Sequence, residues 1–323
     1  MNHLYSRETQ TRPIFTVVIP CYRAATTITA SVTSVCGQTE ADFELIVVDD
    51  GSPDASAAVA LAAAAGDKRV RVVRQDNAGA AVARNLGAAL GTGRLIAFLD
   101  SDDRWAPDVL ARHRDHFANH GLVGVSFGRV RFFDTTMTTP GRRSAHVAKL
   151  DLALALGENP TCTTSNIAVR RCLFNATGGF DTNLTHAEDQ DWLVRVLATT
   201  RWEIAGIDAE MVDYRMSPAG LSADLGKMRA GWEAMMARTR RLNPEAATKT
   251  EGAARALFYR YLARRALRTG QSPIYALSHM IAAFWHGACA LLTNSPRRSA
   301  LTIAGALAAT ILPIAVVRHA VAR

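Results

Sequence analysis

Four short apolar runs, spaced by stretches that suit helices, constrain the first hundred residues to one kind of architecture. Residues 15–19, 43–48, 70–73 and 95–99 are rich in β-branched and large apolar side chains and show little polar alternation. Residues 26–37, 54–65 and 79–90 lie between them and suit helices, 55–65 through its alanine content. Strands alternating with helices of this length form βαβ units around a parallel sheet. Strands this apolar belong to a sheet covered on both faces. Functional residues in such a sheet stand just past the carboxyl ends of the strands.

Those ends are where polar residues gather. Pro20-Cys21-Tyr22 follows the first run, Asp49-Asp50-Gly51-Ser52-Pro53-Asp54 the second, and Asp100-Ser101-Asp102-Asp103 the fourth. Two strands read as adjacent thus present carboxylates at one edge of the sheet. Turn preference and capping by Asp54 explain one such cluster as well as function does. Two clusters favour function. Alternate residues of an extended segment point the same way, so Asp100 and Asp102 converge. Such oxygen ligands suit Mg²⁺ or Mn²⁺, which keep positions for phosphate oxygens. Arg84 is a lone charge in 79–90. It reads either as a snorkelling surface side chain or as a guanidinium aimed at phosphate or a base edge.

From about residue 121 the pattern changes. Residues 123–133 and 166–170 read as strands, 188–199 as a helix, 202–214 as short strands, and everything from 225 onward as helical. The charge changes too. The chain has 323 residues and a net charge of +8, yet residues 1–224 carry 22 Lys/Arg against 26 Asp/Glu, and residues 225–323 carry 15 against 3. This asymmetry predicts two parts with two jobs. With 49% hydrophobic and 20% charged residues the chain buries a sizeable core, which excludes disordered and collagen-like classes. Five cysteines without a CxxC pair point to a reducing compartment. The polar N-terminus shows no apolar run of a secretory signal.

The ordered set Ile19-Pro20-Cys21-Tyr22, Val47-Val48-Asp49-Asp50-Gly51-Ser52, Asn77-x-Gly79 with Ala83-Arg84-Asn85, and Phe98-Leu99-Asp100-Ser101-Asp102-Asp103 resembles family 2 glycosyltransferases with the GT-A fold. Gly178-Gly179-Phe180-Asp181 and Glu188-Asp189-x-Asp191-Trp192-x-x-Arg195 resemble that family's acceptor-side segment. The likeness covers about 14–222. It implies an α/β GT-A domain with a mostly parallel sheet, and inverting transfer of a sugar from a nucleoside-diphosphate donor, a UDP-sugar, to a glycan or lipid-linked acceptor. By this resemblance Pro20 and Tyr22 contact the base, and Asp50 or its neighbour Asp49 binds the nucleoside. Arg84 contacts the nucleotide, Asp100 with Ser101 lies on the ribose side, and Asp102 holds a divalent cation, Mg²⁺ or Mn²⁺. Asp189 matches the catalytic base, with Glu188 beside it and Asp191 as the runner-up. Asp189 also reads simply as an acid favoured at a helix N-terminus.

Two departures stand out. Ser217 occupies the place where many members carry a histidine, which leaves any diphosphate-holding role to Ser217 or Arg215. The QxxRW segment of processive synthases is missing before Arg201-Trp202. The expected organisation is a flexible tail at 1–13, a catalytic GT-A domain at 14–224 and an all-helical basic extension at 225–323. The stretches 272–295 and 299–317 lack Asp, Glu, Lys and Arg. The extension therefore reads as a soluble helical subdomain, as amphipathic helices on an anionic membrane face, or as one or two spanning helices. The stripe Arg260, Arg264 and Arg268 favours the membrane face, hence a cytoplasmic protein peripheral on the inner face of the plasma membrane. A nucleotidyltransferase would need a Gly-rich phosphate loop after the first strand, and 20–25 is not one. A non-catalytic nucleotide-sugar-binding protein would not need both Asp102 and Asp189. Nucleic acid is not expected, because the basic part lacks interleaved aromatic residues.

Overall fold

The computed structural model describes residues 12–184, 187–216, 225–269 and 271–312. Ser217, Pro313 and most of the N-terminal tail lie outside the described residues. The strands are β1 (Phe15–Cys21), β2 (Phe43–Asp50), β3 (Val70–Gln75), β4 (Leu95–Phe98), β5 (Arg104–Trp105), β6 (Val123–Phe133), β7 (Pro140–Arg143), β8 (Lys149–Leu150), β9 (Ile167–Arg170) and β10 (Glu203–Arg215). The helices are α1 (Ile28–Cys36), α2 (Ser56–Ala63), α3 (Ala80–Leu90), α4 (Val109–Asn119), α5 (Leu152–Gly157), α6 (Arg171–Ala176), α7 (Glu188–Thr199), α8 (Leu225–Leu242), α9 (Pro244–Thr269), α10 (Pro273–Thr293) and α11 (Pro296–Ala308).

One sheet runs in the order β3-β2-β1-β4-β9-β6-β10-β5, with β7 beside β6 and β8 beside β10. The strands β1 to β4 are parallel, and β9 enters antiparallel between β4 and β6. The two acid-bearing strands are therefore not adjacent, because β1 lies between β2 and β4. The chain leaves β1 in one direction for β2 and β3, then crosses back to place β4 on the other side. The order reverses at β1, which is where open α/β sheets bind ligands. Residues 203–215 form one long strand instead of short pieces, with register shifts against β6.

The sheet is covered on both faces. Along β1, Phe15, Val17, Ile19 and Cys21 join a core with α1, α2 and α4, while Val18 joins a second core with α3. The second core continues without a break into α5, α7, α8 and α9. Gly157 at the end of α5 faces Leu257 of α9, where an added Cβ would meet the Leu257 Cβ at 2.4 Å. The Trp232 indole of α8 donates to the Leu156 carbonyl at 3.0 Å and stacks on Phe258. The helical region is thus docked on α5. Its arginine stripe, expected to lie on an open surface, turns inward. Arg260 is 0% exposed and Arg264 and Arg268 are half-buried.

Candidate active site

At the end of β2 the paired acids point to opposite faces of the sheet. Asp50 Oδ1 accepts from Gln75 Nε2 at 2.7 Å and from the Ala78 amide at 2.8 Å, and Oδ2 accepts from the Gly79 amide at 2.8 Å. It clamps the loop that opens α3. Gly51 makes that clamp possible at φ +70°, because a Cβ there would meet the Asn77 amide nitrogen at 2.9 Å. Asp49 faces the first loop instead. Its Oδ1 accepts from the Ser52 amide at 3.1 Å, and Oδ2 is buried without a hydrogen bond, 3.5 Å from Arg74. Of the two, Asp49 is the acid with an acceptor to spare.

At the end of β4 three acids diverge. Asp103 is fully buried and accepts from Ser165 Oγ at 2.6 Å and from the Arg215 amide at 3.0 Å. Burial and its neighbours Asp102 and Asp100 push its pKa well up. Asp102 faces a cleft of about 330 Å³ lined by Tyr22, Arg23, Thr27, Ser101 and Arg215. Burial and the charge of Asp100 raise its pKa to about 6, against the opposing pull of Arg215 and Arg84. Pro20 lies within β1, buried, at the floor of the adjoining loop.

Arg84 does not snorkel. It is 5% exposed, and its guanidinium sits 2.6 Å from Asp100 Oδ1 and 2.6 Å from Glu188 Oε1. The two carboxylates outweigh its burial and hold it firmly protonated. The bridge ties the end of β4 to the start of α7. Asn85, one residue on, exchanges two hydrogen bonds with the Phe180 backbone. Gly179 permits that approach at φ +67°. Phe180 packs edge to face on Phe174 and Trp192, and Phe174 lies tilted on Trp192, with centroids 5.3–5.7 Å apart and each contact contributing about 0.5–1.5 kcal/mol. This cluster fixes α7 against α6 and the turn at Phe180.

Asp189 is in the first turn of α7. Its Oδ2 accepts from Asn159 Nδ2 at 2.9 Å and Oδ1 from the Gln190 amide at 2.8 Å. Burial, then the charge of Glu188, raises its pKa to about 6, opposed by Arg84 and Asn159. Asp191 is a different case. It is 4% exposed, and its Oδ2 is held by Arg195 at 2.9 Å and Arg238 at 3.1 Å. Asp191 thus braces α7 against α8 through two guanidiniums, while Asp189 keeps no ion pair of its own among the described residues.

Asn159, Thr163 and Ser165 escaped the reading of the sequence. Thr163 Oγ1 donates to Asp100 Oδ2 at 3.3 Å, and Ser165 Oγ accepts from the Asp100 amide at 3.0 Å. Their signal was the run of small polar residues 158–166 between two apolar segments. Arg215, named only as a substitute, lines the cleft and donates Nε to the Asp102 carbonyl at 3.1 Å.

Known glycosyltransferases resemble this chain in sequence and in fold. The chain is 35% identical over 165 residues to an uncharacterized glycosyltransferase, alr2836, of Nostoc sp., covering 48% of this chain and 50% of that one. It is 42% identical over 98 residues to the UDP-Glc:alpha-D-GlcNAc-diphosphoundecaprenol beta-1,3-glucosyltransferase WfgD of Escherichia coli, covering 30% and 38%. The chain thus spans half or less of these curated relatives. Among solved structures, S. aureus TarS 1-349 in complex with UDP-GlcNAc aligns with a TM-score of 0.59 at 18% identity, covering 92% of this chain and 91% of that one. The mannosyltransferase PcManGT of Pyrobaculum calidifontis, in complex with GDP-Man and Mn2+, aligns with a TM-score of 0.57 at 20% identity, covering 97% and 85%. These likenesses make the fold GT-A. The model of "Glycosyl transferase family 2" matches residues 16–178, just over half of the chain and the part that carries β1 to β4 and their acids, so the chain belongs to glycosyltransferase family 2.

Proposed function

We propose that the protein transfers a sugar, with inversion, from a UDP-sugar to a hydroxyl of a glycan or lipid-linked acceptor. One observation carries this reading. The buried Arg84 fastens Asp100 to Glu188, so the cleft of Asp102 and the carboxylate of Asp189 belong to one rigid unit. The bound ligands of the structural relatives support a nucleotide-sugar donor, and the printed activity of WfgD supports a lipid-linked acceptor. In this reading Tyr22, Pro20 and Asp49 receive the nucleoside, Asp100 and Ser101 the ribose side, and Arg215 the diphosphate. Asp50 acts indirectly, by holding the loop that opens α3. The acceptor oxygen attacks the anomeric carbon while Asp189 takes its proton. The sugar–phosphate bond breaks and the nucleoside diphosphate leaves with the electron pair. One displacement inverts the centre. The division of labour at residue 224, with catalysis before it and docking after it, is part of the same proposal.

The residues fit a divalent cation shared with the donor. Asp102 offers hard oxygen, and its raised pKa reflects its burial first and the charge of Asp100 second. Among the described residues no group of three ligating side chains converges to hold a metal alone. Mg²⁺ and Mn²⁺ characteristically take one or two carboxylates and complete their shell with phosphate oxygens and water. Bound there, the cation would neutralise charge on the departing diphosphate. The test is calorimetry with UDP and Mn²⁺. Binding is expected for the wild type and should fall at least about tenfold, a loss of about 1.4 kcal/mol, in Asp102→Ala. Equal affinity in the variant would remove Asp102 from the site, and turnover across a panel of nucleotide-sugars checks the transfer itself.

The helical region also presents an apolar face. Ile274, Ile281, Trp285 and Leu292 of α10 are 74%, 64%, 87% and 62% exposed, with Leu301 and Leu307 of α11 at 61% and 50%. The α10 helix, kinked at Gly287, is long and apolar enough to cross a membrane by length and composition alone. We place this face on the cytoplasmic surface of the membrane. Flotation with liposomes should recover the wild type even at high salt, since the arginine stripe faces inward. Ile281→Glu with Trp285→Glu should abolish recovery, and a wild type that never floats rejects the placement.

A further inference from the structure

One arginine of the α9 stripe and one of α11 meet on a single buried acid. Glu158, 7% exposed, accepts from Arg260 Nη2 at 2.9 Å and from Arg298 Nη1 at 2.7 Å. Arg260 also donates to Ser299 Oγ at 3.0 Å and to the Asn294 carbonyl, which completes its coordination. Arg264 and Arg268 follow it at one-turn intervals on the same face of α9. Arg142 of β7 approaches from the sheet side, its guanidinium 4.2 Å from the Phe132 ring. Among the described residues no ion pair joins Arg142, Arg264 or Arg268 to a carboxylate, and Arg268 Nε is buried without a hydrogen bond.

Charge bookkeeping shows the imbalance. Among the described residues Glu158 pairs with Arg260 and Arg298 and draws on Arg264, while Arg142 and Arg268 have cations as neighbours and no carboxylate. Burial and the neighbouring cations push Arg264 down to about 10 and Arg268 to about 9. Protein interiors do not gather cations at such cost without an anion to receive. The cluster also adjoins the reaction centre. Glu158 and Asn159 are consecutive, one anchoring the arginines and the other holding Asp189 at 2.9 Å. Cys162 in the same loop feels Arg142, Arg298 and Asp189 together.

We propose that Arg142, Arg264, Arg268 and Arg298 form an acceptor subsite that binds the phosphate or diphosphate carrying the acceptor sugar. This rests on the assignment of Asp189 as base, because the subsite places an acceptor hydroxyl only if that carboxylate receives its proton. Planar guanidiniums suit phosphate oxygens, and several of them together suit a diphosphate. The acceptor is then a sugar phosphoester, and its charge selects it against neutral glycans.

The test is calorimetry on the full chain, saturated with UDP and without added metal, so that the donor cleft is filled. The probes are inorganic pyrophosphate and farnesyl diphosphate. The wild type should bind at least one of them. Arg264→Ala with Arg268→Ala should weaken that binding at least about tenfold, and Arg142→Ala on the separate strand should weaken it too. Tighter binding of farnesyl diphosphate identifies a lipid-linked source, and equal binding identifies a soluble phosphoester. Both outcomes support the subsite. Thermal unfolding guards against misfolding. The variants should melt no lower than the wild type, since like charges are removed, and should lose the rise in midpoint that pyrophosphate gives. No binding by the wild type, or wild-type affinity in the double variant and in Arg142→Ala, overturns the proposal. UDP affinity is read separately, so a failure of the donor site is distinguishable from a failure of this one. Turnover by Asp189→Asn reads the base assignment on its own.

Discussion

Asp189→Asn is expected to bind the donor as the wild type does and to turn over about 10²- to 10⁴-fold more slowly, the usual worth of a positioned general base. The substitution keeps the shape and the hydrogen bond from Asn159 but cannot take a proton. In the wild type, kcat/KM should rise as pH passes about 6, where Asp189 loses its proton, and level off above it. Asparagine should erase the share of that limb that belongs to Asp189, leaving whatever Asp102, also near 6, contributes. Stability moves the other way. The native pKa of about 6 lies above the ordinary 3.8, so the native state prefers the protonated acid. That preference stabilises fully below pH 3.8 and is lost as pH rises through about 6. A shift of about two units is worth up to about 3 kcal/mol. Asparagine cannot ionise, so Asp189→Asn should melt above the wild type at pH 8 and alongside it near pH 4. An active Asp189→Asn would end its assignment as base.

Removing Arg84 should have the other large effect. Arg84→Ala leaves Asp100 and Glu188 facing each other beside Asp189 with their buried cation gone. Breaking one partner out of a buried ion pair costs about 3–5 kcal/mol. For a chain of this size that lowers the melting midpoint by roughly 10 °C. Activity should fall with it, because α7 and the end of β4 lose their tie. Arg84→Lys should recover little, since one ammonium cannot bridge two carboxylates as a planar fork does. Arg84 also holds the pKa of Asp189 down, so residual activity in Arg84→Ala should show its acid limb at higher pH. An unchanged midpoint in Arg84→Ala would show that the bridge does not fasten the site.

The parts of the site that were legible share a property. Asp50, Asp100, Asp102 and Arg84 sit at fixed distances from strand ends and helix starts. The alternation of apolar runs placed those ends to within one or two residues. Residues 123–133 and 188–199 were placed by the same periodicity, and both match elements of the structure. Asn159 and Ser165 were not legible, because their loop follows no period and meets β4 and α7 only in three dimensions. Ser165 touches Asp103 across 62 positions of sequence, and Glu158 touches Arg260 across 102.

The sequence by itself determined the βαβ alternation, the acids at the strand ends and the contrast between an acidic first part and a basic second part. These follow from local rules of side-chain period, turn chemistry and composition, which act within a few residues. Only the tertiary structure decided that β1 separates the acid-bearing strands, that Asp50 is a clamp while Asp49 keeps a free acceptor, and that Asp191 is locked. It also decided that Arg260 of α9 is buried on Glu158 and that Arg264 and Arg268 are half-buried beside it instead of lying on an open surface. Each of these depends on what packs against a given face. A charge pattern along a helix is the same whether that face meets water, lipid or Glu158, and the partner is chosen by contacts between segments a hundred residues apart.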